Sequence, residues 1–100
     1  MDEDLIAAVE LDPEGRLHVT PAIRSFPYAY REGMEVSWDP LRRSLHSAPP
    51  RAWSYGRWFQ QILALAEAQG TRLVLHRGTA WFNVPEAIRV ELLQAAGQDA

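Results

Sequence analysis

The sequence predicts a two-layer α+β domain, in which two helices pack on one face of an antiparallel sheet built from three hairpins. Apolar residues alternate with a period of two in several short segments, and the period changes to about 3.6 in two longer ones. The order of three strand pairs and two helices favours one sheet covered by helices. With 100 residues and 47% hydrophobic content, the chain is expected to form one domain, residues 1–100.

The first hairpin is predicted at the amino terminus. Asp12-Pro13-Glu14-Gly15 places Asp, Pro and Gly at the positions they favour in a type I turn, and Pro21 ends the second strand. Apolar residues on both sides of the turn alternate as one strand face. These residues are Leu5, Ala7, Val9 and Leu11 before the turn, and Leu17 and Val19 after it.

A loop and a second hairpin are predicted next. Residues 22–33 show no period, so we expect an ordered loop that ends at Gly33. The second hairpin turns at Asp39-Pro40, and Ala48-Pro49-Pro50 ends it. Its inward residues are predicted to be Met34, Val36, Trp38 and Leu45.

The main helix is predicted from Tyr55 to Gln69. Ser54 is a suitable N-cap, because its hydroxyl can accept a hydrogen bond from an unpaired amide of the first turn. Trp53 and Trp58 then occupy the two positions of a hydrophobic staple, and Gly70 supplies the stop. Side chains at positions 55, 58, 59, 62, 65, 66 and 69 follow the spacing of one helix face, and all of them except Gln69 are apolar.

A third hairpin and a last helix complete the predicted fold. Two short apolar segments, Arg72–His76 and Ala80–Phe82, are predicted to pair as the third hairpin. Asn83 and Glu86 form a capping-box pattern for the last helix, and Gly97 is its predicted stop.

Composition excludes several classes of protein. The chain has no cysteine, which excludes disulfides and cysteine-ligated zinc. No apolar run reaches the roughly 18 to 20 residues that cross a bilayer, and the acidic amino terminus does not resemble a signal peptide. We therefore expect a cytoplasmic protein that does not bind membranes. All ten basic residues are arginine, and acidic side chains concentrate in residues 1–15, so the first hairpin can neutralise the basic middle of the chain.

No sequence motif assigns a catalytic, metal or cofactor site. His18, His46 and His76 all fall on the predicted outer face of the sheet, but no paired ligand motif supports a metal. We place Ser44 and His46 on opposite faces of their strand, which leaves no serine–histidine pair. Glycine-rich phosphate loops are absent. We expect no catalytic residues, no metal site and no cofactor, which favours a non-catalytic protein over an enzyme.

Aromatic and arginine residues are the candidates for a binding surface. Such side chains occur in protein interfaces, in pockets for planar ligands and in single-stranded nucleic-acid sites. Large aromatic residues also build cores, and we assign Trp38, Trp58 and Phe59 to the core. The candidate binding residues are Tyr28, Tyr30, Arg42, Arg43, Trp53, Tyr55 and Arg57, with Arg31 and Arg51 beside them.

These observations favour a small non-catalytic interaction protein that forms a homo-oligomer, most simply a dimer. The open sheet edges and the poorly charged helix face at Gln60, Gln61 and Ala64 support this hypothesis. One alternative is a protein that binds a small planar or anionic molecule in a pocket lined by aromatic and arginine residues. A second is a single-stranded nucleic-acid binder, which the net charge of −3 and the lack of a recognised nucleic-acid motif disfavour.

Five short segments resemble small bacterial proteins carried by integron gene cassettes. The resemblance covers about half of the chain. It implies a stand-alone cytoplasmic bacterial protein, and it transfers no functional residue because no segment has an assigned role. The segments are Trp38–Pro40, Arg42–Ser47, Trp53–Tyr55, Trp58–Ile62 and Asn83–Pro85.

Overall fold

The described part of the chain, residues 1–49 and 52–97, folds into six strands and two α-helices in the computed structural model. The predicted α+β class is therefore confirmed. The hairpin stop at Pro50 and the candidate Arg51 lie outside the described residues, as do residues 98–100. The elements are β1 (Asp2–Leu11), β2 (Leu17–Pro21), a 3-10 helix (Ala29–Glu32), β3 (Ser37–Asp39), β4 (Ser44–His46), α1 (Tyr55–Ala68), β5 (Thr71–Val74), β6 (Ala80–Phe82) and α2 (Glu86–Ala95).

The sheet is mixed, and its strand order is β3-β4-β2-β1-β5. The first two predicted hairpins are present, because β1 pairs antiparallel with β2 and β3 pairs antiparallel with β4. The third predicted hairpin is wrong. Strand β5 runs parallel to β1 along Asp2–Leu5, and β6 runs parallel to β1 along Ala8–Glu10. The two strands therefore follow one another along the same edge of β1.

The third hairpin does not form because α1 carries the chain back to the end of the sheet where β1 begins. A helix of 14 residues spans about 21 Å at 1.5 Å per residue, which is enough to cross a short sheet. At this end the Asp2 N–H donates to the Gly70 carbonyl at 3.2 Å. A strand that starts there runs in the direction of β1. Residues between β5 and β6 interrupt the pairing without reversing the chain, because both strands run parallel to β1. The Thr79 hydroxyl holds this segment against β1 by donating to the Ile6 carbonyl at 2.7 Å.

A β-bulge in β1 changes which of its side chains face the core. The register shifts between Ile6 and Ala8. Ile6 is buried before the shift and Val9 is buried after it, whereas Leu5 is 44% exposed. A bulge adds one residue and so reverses the alternation of a strand. The single apolar face predicted for β1 is therefore wrong for Leu5 and correct for Val9.

Helix α1 is capped as predicted. The Ser54 hydroxyl accepts a hydrogen bond from the Arg57 N–H at 3.2 Å, and the rings of Trp53 and Trp58 have centroids 4.7 Å apart. Gly70 follows the helix with a φ of +88°, a conformation that favours glycine. The helix packs on β2 and β5, and its core residues are Trp58, Phe59, Ile62, Leu65 and Ala66.

Helix α2 packs against α1 and begins later than predicted. Asn83 has a φ of +58° and does not cap the helix, because it occupies a turn after β6 and leaves Pro85 at the N-cap position. The Gly56 N–H donates to the Glu91 carboxylate at 2.5 Å, and a Cβ atom on Gly56 would lie 2.9 Å from the same oxygen. Glycine therefore allows the close approach of the two helices. The predicted stop at Gly97 is confirmed by its φ of +76°.

Candidate functional site

Two exposed tyrosines and an arginine form a patch on the 3-10 helix. Tyr28 is 52% exposed and Tyr30 is 68% exposed, and their ring centroids lie 6.5 Å apart. The Arg31 guanidinium lies 4.4 Å from the Tyr28 centroid and 5.9 Å from the Tyr30 centroid. We call Tyr28, Tyr30 and Arg31 the tyrosine patch. Its side chains are already arranged by contacts within the chain.

Arg42 and Arg43 follow each other in the β3–β4 turn but have different partners. The Arg42 guanidinium donates to the Glu10 carboxylate at 3.1 Å. The Arg43 guanidinium lies 5.9 Å from the Trp38 ring centroid and donates to the Ile23 carbonyl at 3.5 Å. Both arginines are therefore engaged within the chain.

A second aromatic group lines a groove near the start of α1. The Arg57 guanidinium lies 4.2 Å from the centroid of Trp53, and Trp53 in turn contacts Trp58. The groove has a volume of about 340 Å³. We call it the aromatic groove, and its described lining residues are Glu35, Ala48, Pro49, Ala52, Trp53 and Trp58.

Tyr55 has a structural contact that the sequence did not indicate. Its hydroxyl donates to the Gly15 carbonyl at 2.9 Å, so it connects the first turn of α1 to the β1–β2 turn. The candidate residues thus divide among the tyrosine patch, the β3–β4 turn and the start of α1.

Two of the three histidines come together on the outer face of the sheet. His18 and His46 are direct partners in the β2–β4 register, and their rings stack with centroids 5.0 Å apart. The His46 Nδ1 atom lies 3.0 Å from the Ser47 carbonyl, so this nitrogen carries the proton. His76 lies between β5 and β6, where its Nδ1 accepts from the Gly78 N–H at 3.0 Å. Within residues 1–49 and 52–97, no three potential ligands are arranged to hold a metal.

His18 joins a serine to a carboxylate in a buried network. Its Nδ1 lies 2.8 Å from the Ser44 hydroxyl, and its Nε2 lies 2.9 Å from the Asp12 carboxylate. The opposite-face placement of Ser44 and His46 was wrong, because residues two apart in a strand share a face. Ser44 is only 1% exposed, so it cannot reach a substrate as a nucleophile.

The carboxylate of this network is stabilised in its ionised form. Burial raises the pKa of Asp12, but the hydrogen bond from His18 and the backbone N–H groups of Arg16 and Glu14 outweigh burial and hold the pKa below its ordinary value. At Asp39, the backbone N–H of Arg42 is the main cause of a lowered pKa. Both carboxylates border a cleft of about 360 Å³, which is also lined by Pro13, Glu14, Arg16, His18, Arg42 and His46.

Sequence reasoning missed Glu35 and the histidine pair. Glu35 belongs to no motif, and only the path of the chain brings it to Trp53 and Trp58. The alternation of β2 and β4 placed His18 and His46 on one face, but their adjacency depends on strand register, which the sequence did not specify.

Comparison with known proteins identifies the family. The family model of the integron cassette protein Hfx_Cass5 matches residues 4–79. The chain is similar to a solved structure, the integron cassette protein Hfx_Cass5 from the mobile metagenome of the North West Arm sewage outfall. The two are 55% identical over 97% of this chain and 98% of that chain, with a TM-score of 0.51. No match was found among the curated proteins.

The resemblance inferred from the sequence is therefore confirmed. No helix in the described residues is long and apolar enough to cross a membrane. The family match extends over about three quarters of the sequence, from β1 to the residues before β6. The chain belongs to the Hfx_Cass5 family of integron cassette proteins.

Proposed function

We propose that this protein is a non-catalytic interaction protein of the bacterial cytoplasm, and that it forms a two-fold dimer through the tyrosine patch. The observation that supports the proposal is the exposure of Tyr28 and Tyr30, whose rings contact the Arg31 guanidinium. Tyrosine and arginine are enriched among residues that dominate binding energy at interfaces. A side chain that is already ordered loses less entropy on association.

Exposed apolar residues near the same sheet edge enlarge the surface. Strand β3 is an edge strand, and the 3-10 helix contacts it. Ile23 and Leu41 are 79% and 95% exposed, and the bond from Arg43 to the Ile23 carbonyl joins the two segments that carry them. A two-fold dimer presents the same patch twice and is the commonest closed assembly. A second copy of this chain would therefore cover this edge.

The glutamine-rich face of α1 gives less support to a dimer than the sequence suggested. The Gln60 amide donates to the Ala95 carbonyl at 3.3 Å, and the Gln61 amide donates to the Met34 carbonyl at 3.1 Å. These side chains already bind groups of their own chain. The proposed interface therefore centres on the tyrosine patch.

Sedimentation equilibrium at micromolar concentrations tests the dimer. We expect a species of about twice the chain mass of 11.3 kDa. The double variant Tyr28→Ala/Tyr30→Ala should weaken dimerisation about tenfold or more, which corresponds to about 1.4 kcal/mol. The matched control is Phe82→Ala, since Phe82 is 52% exposed but lies on β6, at the edge of the sheet opposite β3. This control should dimerise like the wild type.

Two results would contradict the proposal. A single species at the chain mass at every concentration would exclude the dimer. A dimer that the double tyrosine variant leaves unchanged would place the interface elsewhere.

A second candidate function is the binding of a small molecule in the aromatic groove. The groove has a volume suited to a small ligand, and Trp58 in its wall has a buried indole N–H with no hydrogen-bond partner among the described residues. A ligand that fills the groove should change the tryptophan fluorescence and raise the melting temperature. No comparable feature among the described residues favours the alternative of a nucleic-acid binder.

A further inference from the structure

We propose that the aromatic groove selects a small organic cation with an aromatic body, and that its ammonium group binds at Glu35. The proposal rests on the second candidate function and specifies the charge of the ligand. It also departs from the arginine-lined pocket expected from the sequence, because the charged side chain in the described wall is a carboxylate.

Glu35 is available to an incoming cation. Glu35 is exposed, and its carboxylate makes no ion pair or hydrogen bond with another described residue. Glu32 and Glu10, by contrast, are engaged within the chain: Glu32 accepts from the Gln69 amide and Glu10 from the Arg42 guanidinium. An unpaired carboxylate beside an apolar wall attracts positive charge more strongly than one in open water. An anionic ligand would meet repulsion at this point.

The tryptophan walls favour the same class of ligand. Indole faces carry negative electrostatic potential and attract cations. The Arg57 guanidinium lies 4.2 Å from the Trp53 centroid, so this ring already holds one cation within the chain. Arg57 is not among the described lining residues, and Glu35 is the charged residue that the described wall presents to a ligand. Trp58, Pro49 and Ala52 supply the apolar surface against which an aromatic body can pack.

Binding of three matched probes tests the charge preference. The probes are 2-phenylethylammonium, neutral 2-phenylethanol and anionic 3-phenylpropanoate, which share a phenyl ring and differ in charge. Isothermal titration calorimetry and tryptophan fluorescence at neutral pH and low salt give the affinities. We expect the cation to bind about fivefold more tightly than the alcohol, and the anion to bind most weakly.

Variants at Glu35 assign the preference to this carboxylate. Glu35→Gln should remove the difference between cation and alcohol, and Glu35→Arg should reverse the preference in favour of the anion. Glu3→Gln is the matched control, because Glu3 is exposed on β1 and does not line the groove. Trp53→Ala should weaken binding of all three probes about tenfold.

The outcomes separate the charge preference from the groove itself. Equal binding of the three probes, or a cation preference that survives Glu35→Gln, would overturn the inference and leave small-molecule binding in place. Absence of binding by every probe would overturn both the charge preference and the small-molecule function of the groove. Dimerisation is measured independently, and Glu35→Gln is expected to leave it unchanged.

Discussion

Two buried threonines, one at the start of β5 and one just before β6, differ in whether their hydroxyl groups have partners. The Thr79 hydroxyl donates to the Ile6 carbonyl at 2.7 Å and accepts from the His76 N–H at 3.1 Å. The Thr71 hydroxyl is buried and has no hydrogen-bond partner among the described residues. A buried hydroxyl without a partner destabilises the fold, so its removal has little cost. Removal of a buried hydroxyl that makes two hydrogen bonds leaves both of its partners unsatisfied.

Replacing each threonine by valine should therefore change the free energy of unfolding differently. Thr79→Val should lower the free energy of unfolding by about 1 to 3 kcal/mol, because the Ile6 carbonyl and the His76 N–H lose their partner. Thr71→Val keeps the shape and should be neutral or raise the free energy of unfolding by about 1 kcal/mol. Urea unfolding of both variants measures the difference. Equal losses of unfolding free energy in the two variants would contradict the assignment of one paired and one unpaired hydroxyl.

At the scale of elements, the start of α1 connects several parts of the structure. Trp53 and Trp58 close the staple, Tyr55 reaches the β1–β2 turn, and Gly56 admits α2. The hydroxyl of Ser54 fixes the point where the helix begins. A substitution that removes contacts at the start of α1 therefore affects both helices and the first hairpin.

Two substitutions test the contribution of this segment. Ser54→Ala should lower the free energy of unfolding by about 0.5 to 2 kcal/mol through loss of the cap. Trp58→Ala should lower it by about 3 to 5 kcal/mol, because the ring is buried in the core. Chemical denaturation gives both values, with the exposed Ser25→Ala as the control for Ser54. A Trp58→Ala protein as stable as the wild type would show that the ring does not contribute to the core.

At the scale of the whole molecule, most of the described arginines have partners within the chain. Arg24 pairs with Asp2 at 3.2 Å and Arg42 with Glu10 at 3.1 Å, so the acidic first strand neutralises part of the basic middle as expected. Other arginines lie against aromatic rings. These are Arg31, Arg43, Arg57 and Arg89, at 4.2 to 5.9 Å from a ring centroid.

This arrangement predicts weak binding to single-stranded nucleic acid. A phosphate backbone would have to displace carboxylates and rings from the arginines, in a chain whose net charge is −3. We expect no measurable complex with a labelled oligonucleotide at physiological salt in a fluorescence anisotropy titration. A submicromolar complex whose affinity falls steeply with salt would contradict this prediction.

The sequence by itself determined the elements whose signals are local. The capped helix from Tyr55, the turn at Asp12–Gly15 and the stops at Gly70 and Gly97 each depend on interactions between residues a few positions apart. The alternation of apolar residues also predicted correctly that Leu17 and Leu45 face the core. Local capping and periodicity are readable without the rest of the chain, and they were sufficient to give the α+β class.

Only the tertiary structure decided the features that depend on distant residues. The parallel pairing of β5 and β6 follows from where α1 returns the chain, and the bulge reverses the face of β1 at Ile6. The stack of His18 on His46 requires strand register, and the approach of Glu35 to Trp53 requires the whole path between them. Pairing and register are set by contacts between segments far apart in sequence, which periodicity does not encode.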